Sequence, residues 1–254
     1  MSQALKLALA PLLLAQAVHT RWRLPRLPEA DGPREGALGA GPERLSLIIV
    51  GDSSAAGVGV SSQHEALAGQ LAAALSARLP SHRLQWQLCA RTGVTTAQAI
   101  DLLAEAKPAD VAVVVSGVND VVAQVRPALA LKHREQLLCA LQHRCGVRHV
   151  VMTPVPPMHR FAGLPLPLRW VAGRDADALG RALADWAVGR AGVSHPPFDL
   201  PMDDPRLLAR DGFHPSALLY QHWGAALADH IAGIIGRVTP ANGGEAAQHR
   251  PQVG

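Results

Sequence analysis

The sequence predicts an α/β fold, a mainly parallel sheet with helices on both faces. Three observations predict it. Short apolar runs rich in Val, Ile and Leu recur at Leu45–Val50, Leu84–Ala90, Val111–Ser116 and Arg148–Thr153. Longer segments with apolar residues every three or four positions separate them. Ala, Leu, Val and Gly dominate while aromatics make up only 4%, which suits a core of aliphatic sheet faces and Ala/Leu helix faces.

Taken in order, the first strand is the richest. In Leu45–Val60, LSLIIVGDSSAAGVGV, the apolar run breaks into Gly51-Asp52-Ser53 and small residues follow. A buried strand would thus deliver a serine hydroxyl to an uncrowded turn at its carboxyl end, where open α/β sheets bind their ligands. Leu67, Leu71, Leu75 and Leu79 then share one helix face, completing a β–α pair. Leu84–Ala90 is the second strand, and Thr95–Ala106 reads as a helix opened by a Thr N-cap. Val111–Ser116 is the third strand, nearly unbroken in apolar character, as a strand covered on both faces should be. Pro127–Arg144 reads as a helix and Arg148–Thr153 as a strand. Helices about Trp170–Arg190, with Leu179, Leu183 and Trp186 on one face, and about Ser216–Ile235 close the series. Strand–helix alternation of this kind implies right-handed crossovers.

No polar linker divides the middle of the 254 residues, so a single domain is expected over 45–237. Residues 28–44, rich in Gly, Pro and charge, read as a linker, and residues 238–254 lack apolar period and read as a disordered tail. Residues 1–27 form an apolar segment with a basic flank. Ala4–Val18 is almost wholly apolar, and Arg21, Arg23 and Arg26 follow at once. It is short for a span, which needs about 20 residues. Three readings stay open. A segment dipped into the cytoplasmic face of a membrane would have its arginines held by anionic lipid. A cleaved signal or an anchor would use the Ala15-Gln16-Ala17 pattern and make the protein exported or membrane-bound. Otherwise the helix packs on the domain. The first agrees best with the basic flank lying after the apolar run, and implies a cytoplasmic, peripheral protein.

The net charge of +4 does not imply nucleic acid: Lys occurs only at 6, 107 and 132, and the arginines are scattered without a stripe or interleaved aromatics. Cys89, Cys139 and Cys145 are odd in number and form no disulfide framework. CxxC, HExxH, GxxxxGK[ST] and GxGxxG are absent, so no metal and no nucleotide cofactor is expected.

Two further pieces accompany Ser53: Ser116-Gly117-Val118-Asn119-Asp120 after the third strand, and Asp211-Gly212-Phe213-His214-Pro215 near the C-terminus. With Gly93 in Ala90-Arg91-Thr92-Gly93-Val94-Thr95, they resemble, in order, the blocks of the SGNH (GDSL-type) hydrolases, from about Leu45 to Ile235. The resemblance implies a three-layer, flavodoxin-like α/β/α sandwich and an ester-hydrolysing activity. Ser53 is then the nucleophile, His214 the base that takes its proton, and Asp211, three residues earlier, the group that holds the imidazole tautomer. There is no GxSxG elbow, which disfavours the α/β-hydrolase fold. The resemblance assigns the oxyanion hole to the N–H groups of Ser53 and Gly93 and the amide of Asn119. Asp52 is expected to accept backbone N–H bonds in its turn, and Asp120 to brace the Asn119 loop. The remaining histidines lack triad or ligand spacing and are expected at the surface or at caps.

The loop Pro154–Leu168, PVPPMHRFAGLPLPL, is expected to leave the carboxyl edge of the sheet and form an apolar acyl-binding wall through Met158, Phe161 and Leu164. Substrates implied are small acyl esters, thioesters or lysophospholipids. Acyl transfer on the same residues, a non-catalytic binding module and a flavin-binding crevice are the alternatives, and the oligomeric state is not legible.

Overall fold

A computed structural model describes residues 3–197 and 204–238. In chain order the elements are α1 (Gln3–Arg23), β1 (Glu35–Leu38), β2 (Glu43–Gly51), α2 (Leu67–Arg78), β3 (His82–Ala90), α3 (Thr96–Ala99), β4 (Val111–Val115), α4 (Val118–Val122), α5 (Pro127–Cys145), β5 (His149–Met152), α6 (Leu168–Ala187), β6 (Val193–Ser194) and α7 (Ala217–Val238). The six strands lie in the order β1-β3-β2-β4-β5-β6. All neighbours are parallel except β1, which runs antiparallel along β3. The five parallel strands therefore follow the flavodoxin-like order, whose switch point is the gap between β2 and β4.

Burial follows position in the sheet. Central β4 is buried at every residue, whereas β3 alternates buried and less buried positions along its nine residues. Leu47, Ile49, Val113 and Val115 face α2 and α7, while Ile48, Val50, Ala112 and Val114 face the layer that includes α5 and α6. That makes the three layers.

Several expectations change at the edges. Residues 28–44 are not a free linker: β1 lies within them, β2 already starts at Glu43, and Ala30 N donates to Ala56 O. The short, fully exposed EGAL strand has no apolar alternation to announce it; it forms because β3 leaves an edge to pair with. The helix expected over 95–106 is one α-helical turn, α3, continued by a 3₁₀ turn over Ile100–Leu103. Its start is as expected: Thr95 is the N-cap, in a reciprocal capping box with Gln98. The two-residue β6 and the short α4 carried no sequence pattern. The tail over 238–254 falls, beyond Val238, outside the described residues.

Candidate active site

Ser53, Gly93 and Asn119 leave the carboxyl ends of β2, β3 and β4, and the Asp211–His214 turn precedes α7 on the same edge. Ser53 begins a run of turns in which Ala56 N donates to Asp52 O and Val58 N to Ser53 O. Buried Tyr220 of α7 donates its hydroxyl to Val58 O at 2.8 Å and so fastens that turn to the helix that follows the histidine.

Three side chains form one hydrogen-bonded chain. His214 Nε2 lies 3.0 Å from Ser53 Oγ, and His214 Nδ1 lies 2.6 Å from Asp211 Oδ2. With the proton on Nδ1, the ring donates to Asp211 and accepts from the serine. The other carboxylate oxygen of Asp211 accepts the backbone N–H groups of Phe213 and His214, both at 3.0 Å. Burial alone would raise the Asp211 pKa, but the ring bond, the two backbone bonds and the His214 charge outweigh it and hold the carboxyl below its ordinary value. A buried carboxylate kept ionised in this way can orient an imidazole and stabilise its cation.

Beside this chain lie donors without acceptors. Among the described residues, neither Ser53 N nor Gly93 N is paired. Gly93 has φ +83°, a left-handed conformation that favours glycine, and a Cβ there would meet nothing within 4 Å, so the residue borders open space. Asn119, by contrast, is engaged within the protein. Its amide nitrogen already donates to Val94 O at 3.0 Å and, more weakly, to Asp52 Oδ2 at 3.3 Å. The two acceptors fix the flip of the amide with nitrogen toward Asp52. As expected, Asp52 also accepts a backbone N–H, from Ser54 at 3.1 Å. Burial pushes its pKa up to about 6, countered in part by the Ser54 bond.

Under these loops lies a buried polar cluster that the sequence only hinted at. Asp120, fully buried, accepts from Thr96 N at 3.0 Å and from Thr96 Oγ1, bracing its loop as expected. Arg134 of α5 donates to Thr96 Oγ1 at 3.0 Å, Ser116 Oγ at 2.9 Å and Ser116 O at 3.2 Å. Together with Val155 it crowds Gly117, whose φ is +134° and whose Cβ would lie 2.8 Å from Val155 Cγ2 and 3.0 Å from Arg134 Nη2. The cluster thus ties the strand end bearing Asn119 to the segment after Gly93. From the other side, Glu29 accepts both Thr92 N at 2.7 Å and Thr92 Oγ1 at 2.8 Å, so the stretch read as a linker supports the Gly93 turn.

A cavity of about 130 Å³ opens at Ser53, lined by Val115, Val155, Phe161, Phe213, Leu219 and Trp223 among others. Of the three wall residues expected, Phe161 lines it. Met158 and Leu164 do not; they are buried in a small core with Ala172, Ala176 and Leu179 of α6, because the loop is long enough to bury one side against that helix. The floor is instead α7, through Leu219 and Trp223, to which no sequence pattern pointed. Among the remaining histidines, His82 is buried and paired with Glu43 at 3.1 Å, and His149 and His230 both contact Ser194 Oγ. The expectation of surface or cap roles fails for these. No group of three metal-ligating side chains is found among the described residues.

The profile of the GDSL-like Lipase/Acylhydrolase family matches residues 49–222, which include the serine turn, the Gly93 and Asn119 loops and the histidine. The chain belongs to this family. A GDSL-like esterase of Mycobacterium tuberculosis is 28% identical over 229 residues, covering 82% of this chain and 72% of that protein. The fold is shared with a lipase from a goat rumen metagenome (TM-score 0.59, 16% identity, 74% of this chain and 97% of that one). It is shared too with AlinE4, an SGNH-hydrolase family esterase (TM-score 0.51, 23% identity, 80% of this chain and 100% of that one). As a GDSL-family ester hydrolase, the protein takes small-molecule esters as substrates.

Proposed function

We propose that the protein cleaves carboxylic or thio esters of short to medium acyl chains through an acyl-enzyme on Ser53. The observation that carries this reading is the Ser53–His214–Asp211 chain, with contacts of 3.0 and 2.6 Å. His214 Nε2 takes the proton of Ser53 Oγ as that oxygen attacks the acyl carbon. The same nitrogen then gives the proton to the leaving alkoxide or thiolate. The negative charge on the carbonyl oxygen meets the free N–H groups of Ser53 and Gly93. The Asn119 amide joins them by giving up its weaker bond, the 3.3 Å contact to Asp52. Water activated by His214 then attacks the acyl carbon, releasing the acid and restoring the serine.

The acyl group occupies the cavity. Ser53 borders it but Gly93, Asn119 and His214 do not, so it lies away from two of the three oxyanion donors and from the base that must face the leaving group. A cavity of about 150 Å³ holds a benzene molecule. At about 130 Å³ this one suits a branched or linear acyl chain of roughly four to six carbons. The test is intact mass after treatment with an alkyl fluorophosphonate, followed by hydrolysis of p-nitrophenyl esters from acetate to laurate. A single adduct absent from Ser53→Ala, with a rate maximum near butyrate to hexanoate, is expected; no adduct on the wild type would refute the mechanism.

A further inference from the structure

The first helix buries one side and leaves another apolar side uncovered. Toward the domain it turns buried Thr20 and half-buried Leu9, Leu13 and Gln16. The Gln16 carboxamide donates to Leu166 O at 2.7 Å and accepts from Leu168 N at 3.1 Å, where α6 begins. Toward solvent, Leu14, Val18 and Trp22 lie one turn apart and are 67%, 51% and 85% exposed. Leu12 flanks them, and Leu166 and Trp170 stand out from the corner that Gln16 grips. Of the ten large apolar side chains exposed among the described residues, six gather in this region. That is a patch rather than the usual scatter.

Along α1 the charge has one sign. The first acidic residue of the chain is Glu29, whereas Arg23 and Arg26 are exposed immediately after Trp22. On the neighbouring corner the Arg174 guanidinium lies 5.4 Å from the Trp170 ring centre. Tryptophans bordered by arginines around an aliphatic stripe are the combination that settles at the headgroup level of anionic bilayers. No helix among the described residues is long and apolar enough to cross a membrane. We infer that the outward face of α1 and the 166–170 corner dock this protein, lying flat, on an anionic lipid surface.

The docking face is joined to the candidate active site by one loop, so the inference extends the ester-hydrolase reading on which its purpose rests. Leu24, just past α1, lies against Gly163, where a Cβ would come within 3.2 Å of Leu24 Cδ2. Gly163 N donates to Gly212 O at 3.0 Å, inside the turn that carries Asp211 and His214. Phe161, two residues earlier, lines the cavity and stacks edge-on against Phe213 with ring centres 4.9 Å apart. A bilayer held by α1 therefore sits beside the loop that walls the crevice, which suits substrates whose ester is anchored by a lipid chain.

Vesicle sedimentation tests this with the full chain, phosphatidylcholine alone against phosphatidylcholine with about one third phosphatidylglycerol. The wild type should bind the anionic vesicles at least tenfold more strongly. Leu14→Gln/Val18→Gln/Trp22→Gln should lower partitioning by about 100-fold, from lost apolar burial. Arg23→Glu/Arg26→Glu should lower it by about 30-fold or more, from the lost attraction of two arginines. Both variants should keep wild-type hydrolysis of p-nitrophenyl acetate. Absence of wild-type binding, equal binding by the triple variant, or a self-association that the triple variant abolishes would overturn the proposal. If vesicle binding behaves as expected but no fluorophosphonate adduct forms, the hydrolytic mechanism fails and the docking face stands.

Discussion

Arg134→Met should cost roughly 3 kcal/mol of stability. Arg134 is fully buried, and burial pulls its pKa down, so removal also relieves some desolvation. Its three acceptors are not all stranded, because Thr96 Oγ1 and Ser116 Oγ lie 3.0 Å apart and can bond each other. What is lost is the cation that interacts with buried Asp120 and, less strongly, with Asp52. Leaving a buried charge uncompensated costs about 3–5 kcal/mol. Asp120 keeps both bonds from Thr96, which points to the low end. For a chain of this size that is a fall in Tm of roughly 6–12 °C, at about 2–4 °C per kcal/mol. Urea unfolding of Arg134→Met, Asp120→Asn and the double variant provides the assay. The double variant should be more stable than the sum of the singles by about 1–3 kcal/mol. A loss under about 1 kcal/mol for Arg134→Met, or strict additivity, would refute the view that a compensated buried charge holds these loops.

Other expectations concern the site itself. Asp211→Asn should lower kcat by about 10⁴-fold with KM little changed, since the imidazole loses the partner that sets its tautomer; stopped-flow acylation rates check this. Trp223→Ala should move the best p-nitrophenyl ester two or more carbons longer without altering fluorophosphonate labelling at Ser53; an unchanged profile would remove α7 as the cavity floor. Asp52→Asn should be more stable than the wild type at pH 7, by up to roughly 3 kcal/mol. A carboxyl with folded pKa about 6 against an ordinary 3.8 favours folding only while protonated, so its penalty grows as pH rises from 4 through 6. The advantage of Asn should therefore vanish below pH 4, as thermal unfolding across that range will show. The same substitution should lower kcat by about tenfold or more, because the Asn119 flip loses an ionised acceptor.

What the sequence made legible were residues whose type is dictated where a strand ends. Ser53, Gly93, Asn119 and His214 each follow an apolar run or a turn signal, and the switch point between β2 and β4 gathers them whatever the intervening chain. Arg134 could not be read the same way. In LKHREQL it looks like one more charge on a solvated helix face, and its partners Thr96, Ser116 and Asp120 are distant in sequence. Only the packing of α5 against α3 shows that the residue points inward. Met158 and Leu164 fail for the converse reason: an apolar loop has two sides, and composition does not say which faces the crevice and which faces α6.

Asp52 shows why the two halves of the site need one another. Holding a carboxyl beside the nucleophile with 3% exposure lowers stability above its pKa, yet a neutral residue of similar size would spare that cost. Its two oxygens explain the choice. One accepts Ser54 N and shapes the serine turn; the other accepts the Asn119 amide from the end of β4. A single group thereby sets the nucleophile loop and the flip of the amide beside it, and adds side-chain contacts to the backbone bond from Asp52 N to Val115 O at 3.1 Å that already joins the two strand ends. On the proposed mechanism the amide must leave that contact as charge builds on the substrate oxygen. At 3.3 Å the bond is weak enough to be given up and directional enough to hold the nitrogen in place until then.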